Sequence, residues 1–225
     1  MTTFYLVRHG KADYSERNKK IYQGFGVNLS PLSVEGVKEI ENTSKDKRLF
    51  EASIILSSPY TRAVQTAAIL SKELQIDIIV ETDLHEWMAN KYYIYENDEK
   101  ANKNYHEFIE FKGTYPAGHD MDWEDMSSMR KRILPVLEKY KHYKKIIVAC
   151  HGMFIPVYPS KSCLHLCSVP ELPSPHTNSP MYAQWCIGPV SYTHLDVYKR
   201  QGLAKSLEKA LPTDAHEPRT FIKER

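Results

Sequence analysis

Two imidazoles stand at the ends of apolar runs. Arg8-His9-Gly10 closes Phe4-Tyr5-Leu6-Val7, and His151-Gly152 closes Ile146-Ile147-Val148-Ala149-Cys150. Such β-favouring runs read as strands buried on both faces, and open α/β sheets gather their chemistry at the carboxyl ends of their strands. Two strand-end His-Gly pairs are hard to explain as packing. Between them, Ser57-Ser58-Pro59-Tyr60-Thr61-Arg62 carries a helix-start signal, with Ser58 as N-cap and Pro59 in the first helical position. Arg62 then falls in the first turn, beside free backbone N–H groups and the positive end of the helix dipole, where a phosphate is welcome.

The elements that would position these residues follow in order. Residues 4–7 form the first strand, and the polar stretch from Lys11 to Asn28, broken by Gly24 and Gly26, reads as a loop over the carboxyl end of the sheet. Pro31-Leu32-Ser33 leads into an amphipathic helix to about Lys45, with Val34, Val37 and Ile40 on one face. Residues 52–56 and 76–80 are further strands, and residues 63–74 continue the helix that holds Arg62. The stretch 88–122 is rich in Tyr, Asn, Lys and Phe and reads as a helical insertion, with Tyr105, Phe108 and Ile109 as its apolar face. Residues 123–140 repeat Met126, Met129, Ile133, Leu137 and Tyr140 at helical spacing, with Asp122 able to cap them.

The chain has 225 residues and a net charge of +2. Residues 1–155 carry 22 basic and 22 acidic side chains, so the excess lies in the remainder and says nothing of the core's ligands. No apolar run approaches the roughly 20 residues of a membrane span. The opening Met1-Thr2-Thr3 lacks a basic n-region and a long h-region. Only Cys150 of the four cysteines precedes residue 156, which argues against a disulfide framework. The expectation is a cytoplasmic protein, with no nucleic acid and no membrane among its partners.

Taken as a set, Leu6-Val7-Arg8-His9-Gly10, Gln23-Gly24, Pro31-Leu32-Ser33 with Gly36, Ser57-Ser58-Pro59 with Arg62, Leu84-His85-Glu86 and Ala149-Cys150-His151-Gly152 resemble the histidine phosphatase superfamily, in its phosphoglycerate mutase-like branch. The resemblance covers residues 3–155 and implies a three-layer α/β/α fold with a mostly parallel central sheet. It also implies His9 as the nucleophile that becomes phosphorylated, Arg8 and Arg62 as the phosphoryl clamp, and His151 as a donor to the phosphoryl oxygens. Glu86 would protonate the leaving alkoxide, while Gln23 and Gly24 would supply main-chain contacts near the phosphate. No cofactor and no metal are implied, since arginines and histidines supply the positive charge.

The chemistry suits these residue types. A phosphomonoester dianion resists attack, so its charge must be cancelled while a nucleophile stays free at neutral pH. A neutral imidazole is such a nucleophile, and flanking arginines favour its neutral form while forking onto phosphate oxygens. Glu81 and Asp83 lie close enough in sequence to rival Glu86 as the acid. A zinc motif His-Glu-x-x-His would need histidine at position 89, which is Ala89.

The chain also departs from the family. The Asn that mutase-like members carry six residues beyond the nucleophile is Ser15, with Asn18 as a substitute. The mutase sequence after the acid is replaced by Trp87-Met88-Ala89-Asn90-Lys91, which puts metal-independent hydrolysis of a small phosphomonoester ahead of mutase-type phosphoryl transfer. Lys91, Lys100 and Lys103 are candidates to meet a second anionic group. An inactive phospholigand-binding protein and a truncated chimera that does not fold are the readings from another class.

The pattern breaks at Pro156. Residues 156–189 hold seven of the 13 prolines, three of the four cysteines and only two charged residues, Lys161 and Glu171, which reads as out-of-frame or foreign sequence. Cys163, His165, Cys167, His176 and Cys186 do not fit a usual zinc spacing. All twelve residues 190–201 match one reading frame of a transposase mosaic end joined to its reverse complement, so they read as a junction scar, with 202–225 as an unrelated tail.

Overall fold

In a computed structural model, residues 2–17, 19, 26–154, 157 and 190–191 are described. The chain divides into two units, Met1–Ser191 and Tyr192–Arg225, and the fold below is that of the first. Its sheet has the order β3-β2-β4-β1-β5, where β1 is Thr3–Arg8, β2 Ile54–Ser57, β3 Ile78–Val80, β4 Lys145–Cys150 and β5 Val190–Ser191. The first four are mutually parallel, and the two-residue β5 runs antiparallel to β1.

Register explains how the site is gathered. Arg8 pairs with Cys150 and Ser57 with Ala149, so β1, β4 and β2 end side by side. The main chain carries the alignment one residue further: His9 N donates to Cys150 O at 2.9 Å, and Ser58 N to Ala149 O at 3.0 Å. His9, His151 and Ser58 are thus the first residues beyond three adjacent strands.

Both faces of the sheet are covered, as the unbroken apolar runs require. Val7, Ile55, Ile147 and Ala149 bury against Ile40 of α2 (Val34–Thr43) and Ala67 and Leu70 of α3 (Thr61–Leu74). The alternate residues Phe4, Leu6, Leu56, Ile146 and Val148 are just as buried. The remaining helices are α1 (Gly26–Leu29), α4 (Asp98–Glu110) and α5 (Met126–Lys139), whose buried face is Met129, Ile133, Val136 and Leu137. The result is the expected α/β fold.

Several boundaries differ from the sequence expectation, each for a local reason. Helix α3 starts at Thr61 with Tyr60 as its N-cap; Ser58 lies two residues before that cap, and its hydroxyl meets both Tyr60 N and His151. Asp125, not Asp122, caps α5 by accepting from Ser128 N at 2.9 Å, because the helix starts at Met126; Asp122 pairs with Lys100 at 2.8 Å. Val34 is exposed, and the buried stripe of α2 is Gly36, Ile40 and Thr43. Of the insertion 88–122, only α4 is regular; Asn97 caps it by accepting from Lys100 N at 2.8 Å. Trp87, Phe108, Trp123 and Tyr115 stack edge to face beneath it, with ring centroids 4.8 to 5.3 Å apart.

One glycine pair is required by proximity. The end of β1 lies against the start of α2 so closely that a Cβ on Gly10 would overlap the carbonyl of Gly36, and one on Gly36 would overlap that of Lys11. Gly10 and Gly36 therefore let α2 press on the residue that follows His9.

Candidate active site

His9 is held by both ring nitrogens. Nδ1 lies 2.8 Å from Gly10 O, which can only accept, so Nδ1 carries the proton. Nε2 is then a lone pair, and Arg62 Nε donates to it at 3.1 Å. Burial, the Arg62 charge and more weakly the Arg8 charge push the His9 pKa down to about 3, against the pull of the Gly10 bond. The imidazole is neutral at physiological pH, with its basic nitrogen aimed at a guanidinium.

Arg62 is itself buried. Its second anchor is Val27 O, which accepts from Nη1 at 2.7 Å, and its guanidinium sits over the Tyr60 ring, 5.2 Å from the centroid. A buried cation with no carboxylate partner among these contacts is costly unless an anion meets it. Arg8 Nε and His151 Nδ1 are also buried, without a hydrogen-bond partner among the described residues.

His151 is fully buried, and its ring meets that of His9 edge on at 5.1 Å between centroids. Ser58 Oγ lies 2.7 Å from His151 Nε2 and accepts from Tyr60 N at 3.3 Å. A hydroxyl has a second lone pair and a proton of its own, so Ser58 can meet Nε2 as donor or as acceptor; in the tautomer where it donates, Nδ1–H is left as a free donor. Burial, then Arg62, His9, His85 and Arg8, hold the His151 pKa well below the usual imidazole range.

Glu86 comes from the loop after β3. Its Oε1 accepts from Trp87 N at 2.8 Å, and its Oε2 from Met153 N at 3.5 Å. Desolvation raises its pKa despite those bonds and the charges of Arg62 and Arg8. Both arginines thus act on Glu86 as on His9. The rival carboxylates lie elsewhere: Glu81 binds Lys139 at 2.7 Å and Tyr140, and Asp83 is exposed. Burial would raise the Glu81 pKa, but Lys139 and Tyr140 outweigh it and lower it.

A cavity of about 190 Å³ is lined by Val27, Asn28, Tyr60, Trp87, Tyr93 and Ile94, among others. Tyr60 borders the site as well, since its ring meets that of His151 at 5.3 Å. Lys91, Lys100 and Lys103 are engaged by Asp120, Asp122 and Glu107. Ser15 is exposed, and its N–H bonds Asp13 at 2.9 Å. Gln23, Gly24 and Asn18 lie outside the described residues, as do Cys163, His165, Cys167, His176 and Cys186. No described helix is long and apolar enough to cross a membrane.

Sequence reasoning missed four contributors. Ser58 meets His151, Tyr60 joins site to cavity, and Arg132 with Glu124 holds the loop of Glu86. Only spatial proximity identifies the last pair, since no spacing in the chain connects residues 86, 124 and 132.

The chain is similar to known proteins over about two thirds of its length. The chain is 29% identical over 163 residues to the protein named "Putative phosphoserine phosphatase 2" of Hydrogenobacter thermophilus, covering 68% of this chain and 74% of that one. It is 28% identical over 158 residues to "Uncharacterized phosphatase PhoE" of Bacillus subtilis, covering 69% and 74%. The solved structure of YhfR of Bacillus stearothermophilus superposes with a TM-score of 0.53 at 24% identity, over 70% of this chain and 77% of that one. A phosphoglycerate mutase of Bacillus anthracis shares the fold with a TM-score of 0.51 at 20% identity, over 69% and 77%. The model of the histidine phosphatase superfamily (branch 1) matches residues 4–162, the span that supplies His9, Arg62, Glu86 and His151, and the chain belongs to that superfamily.

Proposed function

We propose that the protein is a metal-independent phosphatase that hydrolyses a small phosphomonoester through a phosphohistidine on His9. The observation that carries this reading is the fixed state of His9: Nδ1 is committed to Gly10 O, and Nε2 is an unprotonated lone pair facing Arg62. That is the state an attacking nitrogen needs at neutral pH.

In the first step Nε2 bonds to phosphorus as the bond to the ester oxygen breaks. Arg62, Arg8 and His151 Nδ1–H take the charge on the three non-bridging oxygens. The two orphaned nitrogens, Arg8 Nε and His151 Nδ1, supply donors that cost nothing to redirect. Glu86, whose pKa desolvation raises, gives its proton to the leaving alkoxide, which departs as the alcohol. In the second step water attacks phosphorus, Glu86 takes its proton, and the N–P bond breaks to release phosphate and restore neutral His9. The cavity beside Tyr60 receives the alcohol portion.

Relatives named as phosphatases support hydrolysis over mutase-type transfer. The pairing of Lys91, Lys100 and Lys103 supports it too, because a mutase substrate presents a second anionic group. The test is turnover of p-nitrophenyl phosphate in EDTA by the 225-residue chain and by His9→Ala, with alkaline trapping of phosphohistidine. Turnover and an alkali-stable phosphoryl group on His9, both absent from His9→Ala, are expected. Turnover that survives His9→Ala overturns the reading.

A further inference from the structure

Arg132 lies on α5, and every N–H of its guanidinium is used. Nε and Nη2 fork onto the two oxygens of Glu124 at 2.6 and 2.9 Å. The remaining three hydrogens go to carbonyls of one short loop: Nη1 to Asp83 O at 2.6 Å and His85 O at 2.9 Å, and Nη2 to Glu86 O at 3.3 Å. Glu124 grips the same loop further along. Its Oε2 accepts from Met88 N at 3.3 Å, its main-chain N–H donates to Met88 O at 3.0 Å, and its carbonyl accepts the Trp87 indole N–H at 2.7 Å. The two side chains are 12% and 3% exposed.

A buried ion pair adds little net stability over apolar packing of the same volume. What a bidentate pair does provide is geometry, because the planar fork fixes both partners in distance and angle. Here the object held is the backbone of residues 83–88, and Glu86 is its centre.

We propose that Arg132 and Glu124 form a brace that positions the Glu86 carboxyl for proton delivery to the leaving oxygen; this rests on the reading of Glu86 as the general acid. The pairing also keeps the loop electrically neutral from behind. Glu86 already experiences Arg62 from α3 and Arg8 from the end of β1, with Tyr60 and His85 alongside. Another uncompensated cation would draw the proton off the acid, and the Glu124 carboxylate cancels the charge of Arg132. Both are therefore positioning residues, and neither touches the phosphoryl site.

Leaving-group dependence separates this from a merely structural role. A nitrophenolate leaves without protonation, whereas an alkoxide needs the acid, so the test compares kcat/KM for p-nitrophenyl phosphate and n-butyl phosphate in Arg132→Met, Arg132→Lys and Glu124→Gln. The alkyl ester is expected to suffer at least about tenfold more than the aryl ester, a fraction of the 100- to 10,000-fold that a positioned acid supplies. Arg132→Lys keeps the charge but lacks the fork, and should not restore the alkyl ester. Equal losses on both esters in folded variants overturn the brace. Titration of the Glu86 carboxyl by δ-¹³C NMR, assigned with Glu86→Gln, does not depend on turnover. Glu124→Gln should shift it to lower pH, and an unmoved titration overturns the electrostatic half. Wild-type inactivity on both esters would instead count against the phosphatase reading and leave the titration to decide.

Discussion

Arg62 Nε donates to His9 Nε2 at 3.1 Å, so the cation of α3 and the imidazole beyond β1 form one unit before any substrate arrives. The contact depresses the affinity of His9 for protons, and it sets the guanidinium beside Nε2. Arg62→Ala should lower kcat/KM for p-nitrophenyl phosphate on the order of 100- to 1,000-fold, as loss of one preorganised donor does elsewhere. Arg62→Lys should recover little of it, because an ammonium cannot serve Val27 O and the phosphoryl oxygens with one planar fork. Steady-state kinetics of the two variants checks this.

Burial of neutral His9 makes stability fall in acid. The unfolded imidazole titrates near 6.5 and the native one near 3, so between those values the unfolded state binds a proton that the native state refuses. Stability from this residue is complete above about pH 6.5 and declines as pH drops toward 3. At pH 5 the loss is about 2 kcal/mol. Urea unfolding of wild type and His9→Asn at pH 7 and pH 5 measures it, and the variant should lose less stability on acidification.

The two carboxylates of the β3 loop should separate by leaving group. Glu86→Gln is expected to reduce kcat/KM for an alkyl phosphate by about 100-fold or more and for p-nitrophenyl phosphate far less. In wild type the alkyl activity should fall as pH rises through the elevated Glu86 pKa, because the acid is then lost. Glu81→Gln breaks only the contacts to Lys139 and Tyr140 and should leave both kinetic constants near wild type. A pH profile on both substrates reads all three outcomes.

Gly36→Ala should damage the site from a distance. The added methyl has no room against the Lys11 carbonyl, so α2 must retreat from the end of β1. A cost of about 1 to 3 kcal/mol is expected, with a kcat loss from displaced His9. Thermal unfolding and kinetics of the variant together test it; loss of activity without loss of stability would separate the two effects.

Much of this protein was legible in the chain itself, because strongly patterned segments leave little choice. An unbroken apolar run such as residues 146–150 cannot sit at a surface, so it becomes a central strand, and the residue that ends it, His151, must emerge at the sheet's carboxyl edge. The same holds for Phe4 to His9, and Arg62 reached the first turn of its helix although that helix starts later than its capping signal suggested.

Tertiary structure decided the relations that local pattern does not encode. Strand order brought β1 beside β4, which made neighbours of His9 and His151. Folding brought Ser58 to His151 and paired Asp122 with Lys100. It also separated Glu86 from Glu81, two carboxylates five residues apart whose opposite pKa directions come wholly from what surrounds them. Arg132 and Glu124 joined the loop of Glu86 only through folding, since hydrogen bonding acts at about 3 Å in space and is indifferent to distance along the chain.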